Sequence, residues 1–238
     1  MSMWNPWRGC KKCSEGCLHC YIHKGDAKRG IDTASIVKTK DFYKPIQKLK
    51  NGNYKMKAGL IYLCFSTDFL IEEADAWRQE CWQMIRQRSD CTFLFLTKRI
   101  DRFMKCIPND WGDGYENVVV CCTVENQRNA DYKLGIFDKL PIKHKCITAQ
   151  PLIEAIDMER HLDGIELVVV GGESDQSARP LDYAWVVNRN VDLSGLLWCR
   201  CSNDSGILFL TKTYMVVFVR TDCSIVLPEC RSIGRLLL

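Results

Sequence analysis

No run of about 18 consecutive apolar residues occurs anywhere in the chain, which argues against a membrane-spanning helix. The opening residues, Met1-Ser2-Met3-Trp4-Asn5-Pro6, have neither the basic start nor the apolar stretch of a secretion signal, so the expected compartment is the cytoplasm. Low-complexity tracts are missing too. Neither charge sign dominates: 33 Lys and Arg stand against 29 Asp and Glu, and a net +4 does not by itself point to nucleic acid. With 238 residues, 47% of them hydrophobic, the chain is large enough to bury a substantial core.

What the sequence does not lack is cysteine. It has fifteen, an odd number, in a large chain without a secretion signal, so they do not read as a disulfide framework. Cys64, Cys121, Cys122 and Cys146 lie inside apolar runs and are expected to be small buried hydrophobes. The N-terminal four differ. Cys10, Cys13, Cys17 and Cys20 fall within the first twenty residues, each pair with two residues between its members, and Cys10 and Cys17 each follow a glycine. Several thiolates converging from one short loop suit an iron–sulfur cluster or zinc. Zinc would take all four, with His19 or His23 in reserve, but its cysteine pairs are usually separated by a dozen or more residues. Only three residues separate Cys13 from Cys17. A metal-free turn is the plainest alternative, and the iron–sulfur reading leads.

Behind the loop, short apolar runs recur at 60–65, 92–96, 118–122, 146–149 and 167–170. They are nearly continuous, as strands covered on both faces are. Helix-length segments lie between them. The clearest is 72–89, where Ala74, Trp77, Cys81, Met84, Ile85 and Arg88 recur at helical steps; 100–106 and 126–140 are shorter. This alternation predicts βαβ units and a parallel sheet. A further strand near the cysteine loop would bring the count to about six βα units, a partial barrel or an open α/β sheet. Ligands in such folds bind at the carboxyl ends of the strands. There the sequence places Ser66-Thr67-Asp68, Thr97-Lys98-Arg99, Thr123-Val124-Glu125-Asn126, Gln150-Pro151 and Gly171-Gly172-Glu173-Ser174.

Segment 38–57 is lysine-rich, reads as a solvated insertion, and carries Asn51-Gly52, a tight-turn pair. From about residue 188 the helical pattern is lost, and apolar runs with Cys199, Cys201, Cys223 and Cys230 suggest an extra β-rich ending. Cys199-Arg200-Cys201 lacks the spacing of a second metal site.

The stretch Trp4-Asn5-Pro6-Trp7-Arg8-Gly9-Cys10, followed by Ser14-Glu15-Gly16-Cys17-Leu18-His19-Cys20-Tyr21, resembles the signature of an uncharacterised phage and bacterial family with an N-terminal three-cysteine motif. The resemblance continues through the strand-end motifs to Ala178-Arg179-Pro180 and covers roughly residues 4–187. It implies an α/β fold, a partial (βα)6 barrel of radical-SAM type with an N-terminal cysteine loop, at 1–187. Residues 188–238 depart from the family and form a divergent or frameshifted C-terminal segment. The resemblance makes Cys10, Cys17 and Cys20 the shared metal ligands and Cys13 an optional fourth, although Cys13–Cys17–Cys20 has the usual radical-SAM spacing. It also places Tyr21 over the cofactor's adenine. The function it implies is that of a radical S-adenosylmethionine enzyme, with a [4Fe–4S] cluster and S-adenosylmethionine as cofactors. Ser66, Asp68, Lys98, Arg99, Glu125, Asn126, Gln150 and Glu173 would line the pocket. The carboxylates would meet the cofactor's ammonium or ribose, while Lys98 and Arg99 would meet its carboxylate or a substrate phosphate. Expected partners are a reductant for the cluster and a substrate of nucleic-acid or nucleotide type, with no membrane. The alternative is a zinc- or cluster-stabilised nucleic-acid-binding module without catalysis.

Overall fold

Apolar runs become strands and amphipathic stripes become helices in the structure, a computed structural model that describes residues 2–174, 178–186, 196–199 and 215–220. The chain forms two compact units. The first comprises Met1–Cys13, Ile22–Cys121 and Leu140–His144; the second comprises Ser14–Tyr21, Cys122–Lys139 and Lys145–Leu238.

The strands of the first unit are β1 (Ser2–Trp4), β2 (Trp7–Arg8), β3 (Val37–Lys38), β4 (Gly59–Leu63), β5 (Cys91–Thr97) and the opening residues of β6 (Val118–Thr123). Its main strands run in the order β1-β4-β5-β6. β1 pairs in parallel with β4 from Ser2↔Ile61 to Trp4↔Leu63, and β4 with β5 from Gly59↔Cys91 to Leu63↔Phe95. β1 is the additional strand expected beside the cysteine loop. β2 and β3 form a separate antiparallel pair. The helices are α1 (Tyr21–Lys28, from Ile22 on), α2 (Asp75–Gln87) and α3 (Phe103–Cys106).

α2 covers the expected 72–89 segment after a short turn at Glu72–Ala74. Its face differs from the expected stripe: Trp77 is half-buried, whereas Arg78 and Trp82 are buried. The guanidinium is tolerated there because it donates to the carbonyls of Phe69 (2.7 Å) and Ile71 and pairs with Asp75 at 2.5 Å. An aromatic cluster fills the neighbouring core, with Trp7 stacked on Phe69 at 5.5 Å and Trp82 edge-on to Phe69 at 5.0 Å. The Asn51-Gly52 turn forms as expected: Gly52 has φ +84°, and Leu49 N–H donates to Asn53 O at 2.8 Å. Cys64, Cys121, Cys122 and Cys146 are all buried.

The second unit holds β7 (His144–Ala149, from Lys145 on), β8 (Ile165–Gly171), β9 (Leu196–Cys199) and β10 (Met215–Arg220), with α4 (Gln127–Phe137) and α5 (Tyr183–Val186). β7 and β8 are parallel; β10 joins β8 antiparallel from Met215↔Gly171 to Val219↔Leu167, and β9 follows β10. Asn126 caps α4 by accepting from the Asn129 N–H at 2.9 Å. Among the described residues the chain thus has a mixed α/β fold with six parallel strands flanked by helices. Within 188–238 only β9 and β10 are described; the 187–188 boundary and Cys201, Cys223 and Cys230 lie outside the described residues. Among the described residues, no helix is long and apolar enough to cross a membrane.

Candidate functional site

The approach to the first two thiols is fixed by the tryptophans. Trp4 and Trp7 are fully buried, and their indole N–H groups donate to Phe42 O (3.1 Å) and Asp68 O (3.3 Å). Between them Asn5 Oδ1 accepts from the Ser66 N–H at 3.3 Å. Gly9 follows with φ +92°, its carbonyl accepting from Thr67 Oγ1, and Cys10 N–H donates to Thr33 O at 2.7 Å. The Trp4-Asn5-Pro6-Trp7 stretch is therefore an anchor that aims the chain at Cys10.

The ends of β4 and β5 meet at Asp68, which is 4% exposed. Its carboxylate accepts from Leu70 N (2.9 Å), Thr97 Oγ1 (2.9 Å), Lys98 N (3.0 Å) and Arg99 Nη1 (3.1 Å). Arg99 also donates to Lys11 O at 2.6 Å. Burial of Arg99 works against its charge, but Asp68 and then the sulfurs of Cys13 and Cys10 outweigh it and hold the guanidinium firmly protonated. Of the strand-end residues expected in this unit, Asp68 and Arg99 come together. The Lys98 contact to Asp68 is through its backbone, and Ser66 is held through its backbone by Asn5. Cys64, one residue beyond β4, is the described non-glycine residue with positive φ (58°). Its thiol is pushed up by burial.

In the second unit the segment Ser14–Cys17 lies against the turn between β6 and α4. Glu125 is 0% exposed. One carboxylate oxygen accepts from Ser14 Oγ, and the other pairs with Lys133 Nζ at 2.9 Å. Lys133 donates further to Thr123 O at 3.1 Å. Asn126 Nδ2 donates to Glu15. Cys17 is buried, with its sulfur 3.5 Å from Ser14 Oγ, while Tyr21 is half-exposed at the start of α1.

At the ends of β7 and β8, Gln150 reaches Ser174 at 3.4 Å. Glu173, 5% exposed, accepts from the Arg179 backbone N–H (2.9 Å) and from its guanidinium (2.6 and 3.1 Å). Burial favours the neutral acid, but the Arg179 hydrogen bonds and charge prevail and hold the carboxyl below its ordinary value.

Among the described residues, no three or more His, Cys, Asp or Glu side chains are arranged to hold a metal ion. The donor chemistry nonetheless fits a cluster, since four soft thiols lie within eleven residues and two of them sit in the field of Arg99.

The chain belongs to a family of unknown function. The model that matches it is described as "Protein of unknown function (DUF5131)" and covers residues 1–193. No curated protein and no solved structure matches the chain.

Sequence reading gave no role to Ser14, Lys133, Arg179 or Asn5. For Lys133 a signal existed: it stands with Ala130, Leu134 and Phe137 on the buried stripe of α4, where a lysine needs an acidic partner. Asn5 and Ser14 carried no such signal, because their partners are far away in sequence.

Proposed function

We propose that this DUF5131 protein is an iron–sulfur protein of radical S-adenosylmethionine type, built on a partial barrel, with a nucleic-acid-related substrate. The observation that carries the reading is the N-terminal loop: four thiols in eleven residues, two of them in the field of the part-buried cation Arg99. A guanidinium near a thiol favours the thiolate, the form that ligates metal, although Asp68 shares the charge of Arg99. When bound, a [4Fe–4S] cluster with an open iron supplies the electron that cleaves S-adenosylmethionine to a carbon radical. In this reading three of Cys10, Cys13, Cys17 and Cys20 are ligands, and Tyr21 lies beside the cofactor. Arg99 is held in place by Asp68, and Glu173 is held ionised by Arg179 as a carboxylate for a cationic group. Lys98 supports a phosphate-bearing substrate.

Anaerobic purification tests the reading. The expected product is a brown protein with iron and sulfide in cluster proportion that cleaves S-adenosylmethionine under dithionite. A colourless protein with one zinc per chain and affinity for nucleic acid would replace it with a binding module. Single Cys10→Ala and Cys13→Ala variants then assign the ligands. The resemblance implies that Cys10→Ala loses most of the iron and Cys13→Ala keeps it; the reverse result selects Cys13, Cys17 and Cys20.

A further inference from the structure

We infer that the buried pair Glu125–Lys133 is a strut that positions the Cys17 half of the thiol loop. The inference is drawn from contacts in the second unit, and only its consequence for metal loading rests on the proposed function. Both side chains are buried, Glu125 completely. Lys133 satisfies one carboxylate oxygen and the Thr123 carbonyl. The other oxygen faces the loop and takes the Ser14 hydroxyl. The backbone at Glu125 is itself tied down, since its carbonyl accepts from the Ile153 N–H at 3.0 Å.

Packing supports the same assignment. A Cβ on Gly16 would lie 2.5 Å from Glu125 Cγ and 2.9 Å from its Oε1, so glycine is required there for room. Cys17 N–H then donates to Ser14 O at 3.0 Å, which fixes the thiol relative to the residue Glu125 holds. Next to it, Asn126 and Arg128 both reach Glu15, the latter at 3.5 Å. Three neighbouring residues at the entry to α4 therefore grip Ser14, Glu15 and Gly16.

Stability alone does not explain this pair. A buried ion pair is often no better than apolar side chains of similar size, because desolvation offsets the attraction. A carboxylate with one oxygen aimed at a loop hydroxyl provides a directional contact that an apolar pair cannot.

The test is thiol labelling of the reduced, metal-free protein with iodoacetamide, mapped by mass spectrometry. In the parent protein exposed Cys13 labels fast, while Cys17 and the core thiol Cys81 label slowly. Three variants separate loop docking from folding: Gly16→Ala, Ser14→Ala and the double variant Glu125→Leu/Lys133→Met, which leaves no unpaired charge. Each is expected to speed Cys17 labelling about tenfold or more while Cys81 stays protected. The double variant should also keep its thermal midpoint within a few degrees of the parent. Unchanged Cys17 labelling in variants that keep Cys81 protected would overturn the strut. Iron content after anaerobic reconstitution is read in parallel and should fall in all three. If the parent takes up no iron while Cys17 responds as expected, the strut stands and the iron–sulfur reading fails.

Discussion

Gly9 and Gly16 each stand one residue before a cysteine, yet they are needed for different physical reasons. Gly9 has φ +92°, a region costly for any L side chain, and a Cβ there would also run into the Ser35 and Thr33 carbonyls. Gly16 is excluded from substitution by the Glu125 side chain alone. In the sequence the two look identical, because the neighbour that decides each case is supplied by a distant segment. Gly9→Ala should therefore lower stability by about 1–3 kcal/mol, seen as an earlier urea midpoint. Glu173 gives a second residue-scale prediction, through pH. Its folded carboxyl titrates below its ordinary value of 4.5, so its contribution to stability is complete above that value and lost as pH falls through the lower one. The contribution is about 1 kcal/mol, because Arg179 is half-exposed and solvent screens the pair. Urea melts of the parent and Glu173→Gln should differ at pH 7 and converge in acid. A difference that grows toward low pH would refute this account.

At the scale of elements, the runs that became β4 to β8 were legible because apolar residues follow one another with little interruption, as in 118–122. α2 was legible from its stripe, but the stripe did not reveal what its arginines do. Arg88 is 0% exposed and closes the helix by donating to Met56 O (2.9 Å), Pro45 O and Asp90 (2.7 Å), with Tyr54 stacked 4.2 Å from its guanidinium. It thereby fastens the lysine-rich 38–57 segment, which in sequence reads only as a solvated insertion. Arg88→Met removes these donors and leaves the carbonyls of Pro45 and Met56 without the guanidinium. The expected cost is about 3 kcal/mol, with trypsin cutting first at Lys48, Lys50 or Lys55. Equal cutting rates in parent and variant would show that the segment is held by other contacts.

At the scale of the whole molecule, the matched family ends at residue 193, near the point where the helical pattern of the sequence stops. Beyond it the described residues include β10, which runs antiparallel to β8 along 167–171, and β9 beside it. That pairing was not legible residue by residue, since an antiparallel partner is chosen by register and not by composition. It makes residues 194–238 testable as a structural element. A chain stopped after residue 193 would leave the β8 backbone from Leu167 to Gly171 without its partner, and Val168, Val169 and Val170 would stand on an open edge. Open apolar edges recruit other strands. The shortened chain is therefore expected to elute as oligomers or aggregate at concentrations where the full chain does not, and to melt earlier. If it remains monomeric with an unchanged melting point, residues 194–238 add nothing to the folded state. That result would match the frameshifted ending expected from the sequence, and sequencing the encoding DNA would then identify the native frame.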